Sequence, residues 1–258
     1  MPTPSPKRED VWAIVPQIVL DRVAGFTVFH KDCLVVAAGN RPEDASTIVR
    51  MIHNPLLNRF KIIKVSPPTV DEWAEWMNRT YGDEWDKRTY VFLKRFSEEG
   101  YLLKVPKTPE GLEEYPTPRS WTWLALGLKE GFDSLEDICG FIGEEVGRKF
   151  DAFLKVNVDI DRLIDEPATF HTLSIDGKYM VSFMLASWIM QHTREWAKTY
   201  PLIDEMNKES KEYFVITCMS LKKNTLISFL RKLFEAKPSY RDLIREILLD
   251  IREMVKPA

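Results

Sequence analysis

Strand-like runs are confined to the front of this 258-residue chain, and this restricts the fold more than any other feature. The runs "FTVFHKDCLVVAAGN" (26–40) and "FKIIKV" (60–65) are rich in β-branched, aliphatic and aromatic residues, which is typical of buried strands. Pro67 and Pro68 end the second run. A doubly wound α/β domain alternates strands with helices over a hundred residues or more, so about two strands make only a remnant of one.

From residue 69 onward the apolar residues recur with the helical period of 3.6. In "TVDEWAEWMNRTYG" this period places Trp73, Trp76 and Met77 on one face of a predicted helix. A further helix is predicted at "RSWTWLALGLKEG", which a loop with four prolines precedes. The fold class that follows is an α/β remnant succeeded by a mainly α-helical part.

The next helix is predicted from its first residues. Ser134 is a suitable N-cap, and Asp137 stands three residues later as a weak capping-box partner. We expect this helix to run through "LEDICGFIGEEVGRKFDAFLK", with further helices at residues 179–200, 212–234 and 240–255.

Composition indicates an ordinary globular protein, with 45% hydrophobic and 29% charged residues. A net charge of -3 gives no global electrostatic reason to expect nucleic acid or an anionic membrane as partner. The start "MPTPSPKRED" has no apolar core of a signal peptide, and the apolar run "MVSFMLASWIM" is too short to span a bilayer. We therefore expect a cytoplasmic protein.

The three cysteines, Cys33, Cys139 and Cys218, are far apart and odd in number. This argues for reduced thiols and against a disulfide framework. The four histidines are equally scattered and show no metal-ligand spacing, so we expect no metal site in this chain.

Three stretches in a fixed order carry a family resemblance: "LVVAAGNRPEDAS", "NPLLNRF" and "PTPRSW". Together they resemble the second half of a MoxR-like AAA+ ATPase over roughly residues 17–154, and more weakly beyond. Members of that family form rings that remodel other proteins, and they commonly work with von Willebrand A-type partners. The resemblance implies ATP and Mg²⁺ as cofactors.

The resemblance assigns a role to three residues of this chain. Asn40 would be sensor 1 at the end of a strand, Arg59 the arginine finger, and Arg119 the sensor 2 arginine that opens a lid helix. These side chains suit phosphoryl transfer, since an amide can orient a water and a guanidinium offers several donors to phosphate oxygens.

Two of the three residues also have a purely structural interpretation. Asn40 could cap the turn into "RPED", and Arg59 could be a surface arginine at a helix end. Arg119 stands at a predicted helix start, where a cation opposes the helix dipole, and this favours a functional role.

The phosphate-binding pattern G-x-x-x-x-G-K-[ST] and a strand ending in Asp-Glu are both absent from the sequence. In the family, the P-loop strand lies between the two strands predicted here, so its loss leaves a row of unpaired backbone groups. Either another polypeptide supplies the missing half, or the two strands rearrange, or this half stays poorly ordered.

The domain division that follows is a flexible lead-in (1–10), a partial AAA+ α/β core (11–68), a helical lid domain (69–156) and a helical C-terminal extension (157–258). The first hypothesis is a partial AAA+ module in an oligomer, completed by a P-loop-containing half or neighbouring subunit. It would be a split-gene product, a degenerate subunit or a truncated sequence, and would not hydrolyse ATP alone. The alternative is a non-catalytic helical protein-interaction module derived from an AAA+ protein.

Overall fold

A computed structural model describes residues 17–36, 38, 60–105 and 114–245. Contacts within the chain divide it into two compact units, Met1–Ser66 and Pro67–Ala258.

The first unit contains a small antiparallel hairpin. Strand β1 (Val23–Ala24) pairs with β2 (Thr27–Val28), and Val23 lies opposite Val28. Gly25 occupies the turn with φ of 59°, a left-handed value that glycine adopts without steric cost. Residues 17–20, before the hairpin, are helical.

The two longer strands predicted for this unit do not form in the part of the chain that the structure describes. Residues 33–36 and 60–65 lack regular secondary structure, and the hairpin lies earlier, at residues 23–28. A strand needs a neighbour to pair its backbone groups, and neither segment has one among the described residues. The broader prediction of a small strand-containing part followed by a mainly helical part is confirmed.

Helices are the regular secondary structure found among the described residues of the second unit. Residues 241–245 are helical, and short 3₁₀ turns stand at Ser97–Glu99, Pro167–Thr172, Trp196–Thr199 and Pro238–Tyr240. The α-helices in chain order are α1 (Val70–Tyr81), α2 (Arg88–Arg95), α3 (Pro118–Lys129), α4 (Leu135–Ile142), α5 (Glu144–Leu154), α6 (Ile160–Asp165), α7 (Ile175–Gln191), α8 (Tyr200–Glu209), α9 (Lys211–Ser220) and α10 (Lys223–Ala236).

Ser134 is the N-cap of α4, as predicted, and its hydroxyl accepts a hydrogen bond from the Asp137 N–H at 3.1 Å. The prediction of one continuous helix after Ser134 was wrong. The helix is interrupted at Gly143, so that α4 and α5 are separate helices. Gly143 has φ of 80°, and an added Cβ would lie 2.3 Å from the Glu114 carbonyl oxygen. A close approach of two backbone segments therefore requires glycine at this break.

Aromatic side chains fill the core of the second unit. Phe92 contacts Trp121, Phe150 and Phe153 with ring centroids 5.1–5.7 Å apart, in tilted or edge-to-face geometry. Helices from both sides of residue 156 pack together, since α2 contacts α7. No helix among the described residues is long and apolar enough to cross a bilayer.

Candidate functional site

Of the three residues that the sequence singles out, Arg119 alone lies in the described part of the chain. Asn40 and Arg59 lie outside it, so their roles stay predictions. Arg119 is the second residue of α3, which agrees with the predicted position at a helix start.

The start of α3 follows from its local sequence. Pro118 stands at the first helical position, where its missing N–H is no loss. Thr117 is the N-cap: its hydroxyl accepts from the Ser120 N–H at 3.0 Å, and the Ser120 hydroxyl oxygen accepts from the Thr117 N–H at 2.8 Å. This capping box fixes the first turn and therefore the place of Arg119.

The guanidinium of Arg119 is exposed and forms no hydrogen bond or ion pair with any other residue that the structure describes. It also stands near the positive end of the α3 dipole, where a cation is unfavourable by a few tenths of a kcal/mol to about 1 kcal/mol. A residue placed there without a partner is available to an anionic ligand.

Arg119 lines a cavity of about 390 Å³ between the start of α3 and helix α1. Aromatic and proline side chains form most of its wall, and its two charged residues are Arg119 and Glu72. The full lining is Pro68, Glu72, Trp73, Trp76, Tyr81, Pro118, Arg119, Thr122 and Trp123. Its volume falls in the range of small-molecule sites in proteins, roughly 300–1,000 Å³.

Trp73 forms a fixed part of this wall. It is 2% exposed, and its indole N–H donates to the Thr122 hydroxyl at 3.1 Å. That hydroxyl in turn donates to the Pro118 carbonyl oxygen at 2.8 Å. Trp85 packs edge-to-face against Trp73 with ring centroids 5.5 Å apart, and this contact helps to fix the position of the Trp73 ring.

The outer part of the wall is open to solvent. Trp76 is 39% exposed and packs edge-to-face on Tyr81, with centroids 5.7 Å apart. Trp123, one turn after Arg119, is 56% exposed. An exposed pair of tryptophans in one cavity offers flat apolar surface to a ligand.

Glu72 is held as part of the α1 capping box. Its carboxylate accepts from the Thr69 N–H at 2.7 Å, and this bond lowers the pKa of Glu72 below its usual value. Because this carboxylate is committed to Thr69, Arg119 is the charged lining residue left without a partner in the described chain. The cavity therefore suits a ligand with an anionic group and a planar or apolar part.

Sequence reasoning located Arg119 but missed the cavity. The helical period predicts that Trp73 and Trp76 share one face of a helix. Trp73 and Trp121 are buried, while Trp76 and Trp123 are exposed. The helical period weakly indicates that Trp123 is exposed. Residue 123 falls outside the buried face of α3, which is formed by Trp121, Leu124, Ala125 and Leu128.

Among the described residues, no group of three or more His, Cys, Asp or Glu side chains is placed to hold a metal ion. No family model, curated protein or solved structure matches this chain.

Proposed function

We propose that the chain is a partial MoxR-like AAA+ ATPase module in which residues 69–156 are the lid domain. In this proposal a P-loop-containing polypeptide holds ATP and Mg²⁺, and Arg119 supplies positive charge to the phosphate oxygens. The observation that supports it most is the setting of Arg119: exposed and unpaired among the described residues, on the first turn of a proline-initiated helix, and lining an aromatic cavity.

Arg119 and the tryptophans beside it are side chains of the kinds that a lid domain would contribute to a nucleotide site. A guanidinium stays charged at every physiological pH and binds phosphate oxygens through several N–H groups. The tryptophan wall beside it offers an apolar surface. The bound nucleotide would supply the bond to be hydrolysed, and the residues of this chain would position and stabilise charge.

The family resemblance also assigns roles to Asn40 and Arg59. Asn40 would orient a water, and Arg59 would reach a nucleotide bound to a neighbouring subunit. The same resemblance suggests a ring oligomer that remodels protein partners, with von Willebrand A-type proteins as candidates.

Arginine substitutions in an assembled complex test the proposal. In a verified complex with a P-loop-containing polypeptide, we expect Arg119→Ala to lower ATP turnover at least roughly tenfold, about 1.4 kcal/mol of transition-state stabilisation. Arg148 is a matched control, because it is exposed and pairs with Glu144 on the same helix. We expect Arg148→Ala to change turnover less than twofold.

Equal turnover for wild type and Arg119→Ala in that complex would contradict the proposal. The chain by itself is expected to show no magnesium-dependent ATP hydrolysis. Turnover by the purified chain above that of Arg119→Ala would contradict this expectation.

A non-catalytic protein-interaction module is the second candidate, favoured by the exposure of Trp76 and Trp123 on one helical surface. If this candidate is right, Trp123→Ala should weaken a complex formed without nucleotide at least roughly tenfold, while Arg119→Ala leaves ATP turnover unchanged. The reverse pattern would favour the AAA+ lid.

A further inference from the structure

A cluster of charged side chains joins the 3₁₀ turn between α6 and α7 to helix α8. His171 stands in this turn, and its two ring nitrogens contact two carboxylates of α8: Nε2 lies 3.0 Å from an oxygen of Glu205, and Nδ1 lies 3.1 Å from an oxygen of Glu209. Lys208 donates to Glu205 at 2.7 Å, and Lys178 on α7 donates to Glu209 at 2.8 Å. Each carboxylate is therefore shared between His171 and a lysine.

This geometry requires a positively charged imidazole. An ionised carboxylate only accepts hydrogen bonds, so both ring nitrogens of His171 must carry a proton to satisfy Glu205 and Glu209 together. A neutral imidazole has one N–H and one lone pair, and that lone pair would face a carboxylate oxygen. The hydrogen bond to Glu205, followed by that to Glu209, accordingly raises the pKa of His171 above its usual value.

The surroundings fix the turn but leave the imidazole open to water. Phe170, next to His171, is fully buried and packs edge-to-face on Tyr213 of α9, with ring centroids 5.5 Å apart. The side chain of His171 is 41% exposed, so water can exchange its proton. Loss of this proton can therefore change the contacts of His171 while Phe170 keeps the turn in place.

The charged groups that meet His171 are the four members of the cluster, and the titratable Tyr213 contacts the turn through Phe170. Other charged residues on α6, α7, α8 and α9 bind elsewhere: Asp161 accepts from Trp188, Arg162 pairs with Glu166, Asp176 with Arg95, Asp204 with Lys237, and Glu212 with the Tyr179 hydroxyl. The two carboxylates and two lysines of the cluster therefore control the proton on His171.

We propose that His171 is a proton-operated clamp between this turn and α8: the charged imidazole holds Glu205 and Glu209 together, and the neutral imidazole keeps Glu209 and releases Glu205. Glu209 is kept because its lysine, Lys178, has a side chain only 11% exposed, and an ammonium in that position needs its carboxylate. Lys208 is 65% exposed and can move into solvent together with Glu205. The clamp goes beyond the proposed function and requires no nucleotide.

The clamp stabilises the folded chain on the acidic side of its titration. Because the folded chain holds the His171 proton more tightly than the unfolded chain does, this stabilisation is complete below the pKa of unfolded His171. It is lost as the pH rises through the higher pKa of the folded state. Comparison of wild type with His171→Gln at each pH removes the contributions of the other titrating groups.

NMR of the ¹⁵N-labelled full chain tests the clamp in the wild type, where no substitution can disturb the fold. Imidazole ¹⁵N shifts report both the protonation and the tautomer of His171. We expect His171 to titrate at a higher pH than in the urea-unfolded chain, and its neutral form to carry the proton on Nδ1, beside Glu209.

Two matched variants separate the carboxylates. Glu205→Gln should move the His171 titration to lower pH by more than Glu209→Gln does, because the charged form alone binds Glu205 whereas both forms bind Glu209. The imidazole of His192, which contacts Trp188 and not the cluster, is the internal control, and its ¹⁵N shifts should be the same in both variants.

Amide hydrogen exchange measures the release of the turn. After correction for the intrinsic exchange rate, protection of residues 169–172 should fall at least roughly threefold from pH 5 to pH 8 in the wild type. It should change less than this in His171→Gln, which has no ionisable group at the position.

Three results would overturn the inference: titration of folded His171 at or below the pH found for the unfolded chain, a neutral form with its proton on Nε2, or equal loss of protection in wild type and His171→Gln. The first would remove the proton link, the second would show that Glu205 and not Glu209 is kept, and the third would assign the opening to another group.

Discussion

At the scale of single residues, burial changes the protonation of Lys87 in the second unit near neutral pH. Lys87 is 8% exposed, its amine donates to the Asn78 side-chain oxygen and to the Gly82 carbonyl oxygen, and it lies 3.8 Å from the Trp85 ring centroid. Burial disfavours the charged form and lowers the pKa of Lys87 to about 7. The Lys87 amine therefore contacts Trp85, which packs on the cavity residue Trp73.

This pKa predicts a pH-dependent stability. Between pH 7 and about 10 the unfolded chain binds a proton at Lys87 that the folded chain does not, so the free energy of unfolding should rise with pH. The slope should approach about 1.4 kcal/mol per pH unit and should flatten below pH 7, where both states are protonated. Urea unfolding followed by tryptophan fluorescence at pH 6–9 measures it.

Lys87→Met should remove that slope, because no ionisable group remains at the position. Exposed Lys155, at the end of α5, is the matched control, and Lys155→Met should keep the slope. An unchanged slope in Lys87→Met would show that another group titrates in this range.

At the scale of elements, local sequence decides where helices begin, and contacts between segments decide where they are interrupted. The caps Thr69, Thr117, Ser134 and Ser174 can all be recognised from residue type alone, because a hydroxyl oxygen satisfies an N–H of the first turn. The break between α4 and α5 depends instead on the approach of the Glu114 carbonyl to Gly143.

Two glycines of this region test that distinction. Gly143→Ala should destabilise the second unit by roughly 2–3 kcal/mol, because alanine is strained at φ of 80° and its Cβ would meet the Glu114 oxygen. Gly140→Ala should be neutral or stabilise by up to about 1 kcal/mol, since this helical position has no heavy atom within 4 Å of an added Cβ. Thermal and urea unfolding measure both, and equal effects would contradict the role given to Gly143.

At the scale of the whole second unit, a polar network joins helices from both sides of residue 156. Asp71 on α1 accepts from the Tyr90 hydroxyl at 2.9 Å and from the Lys94 amine at 3.1 Å. The Lys94 amine also lies 3.5 Å from a carboxylate oxygen of Glu212 on α9. Beside it, Arg95 donates to Asp176 on the first turn of α7 at 2.7 Å. The cationic end of α2 thus meets acidic first turns of α7 and α9, which the helix dipoles favour.

This network predicts one cooperative unfolding transition for residues 67–245. Melting curves from far-UV circular dichroism and from tryptophan fluorescence should coincide. Lys94→Met should lower the stability of the whole transition by roughly 1–2 kcal/mol, because it removes the cation that lies between the Asp71 and Glu212 carboxylates. Two separate transitions in the wild type would instead indicate independent domains on either side of residue 156.

The amino-acid sequence by itself determined the helical character of the second unit, the helix start at Ser134, and the position of Arg119 at a helix start. These features depend on residues within a few positions of one another, so local pattern is sufficient. Only the tertiary structure decided that Trp76 and Trp123 meet Arg119 in one cavity, because residues 76 and 119 are distant in sequence and their neighbourhood depends on how α1 and α3 pack. It also decided that the apolar runs at 33–36 and 60–65 are not strands, since a strand exists only when a neighbouring strand pairs with it.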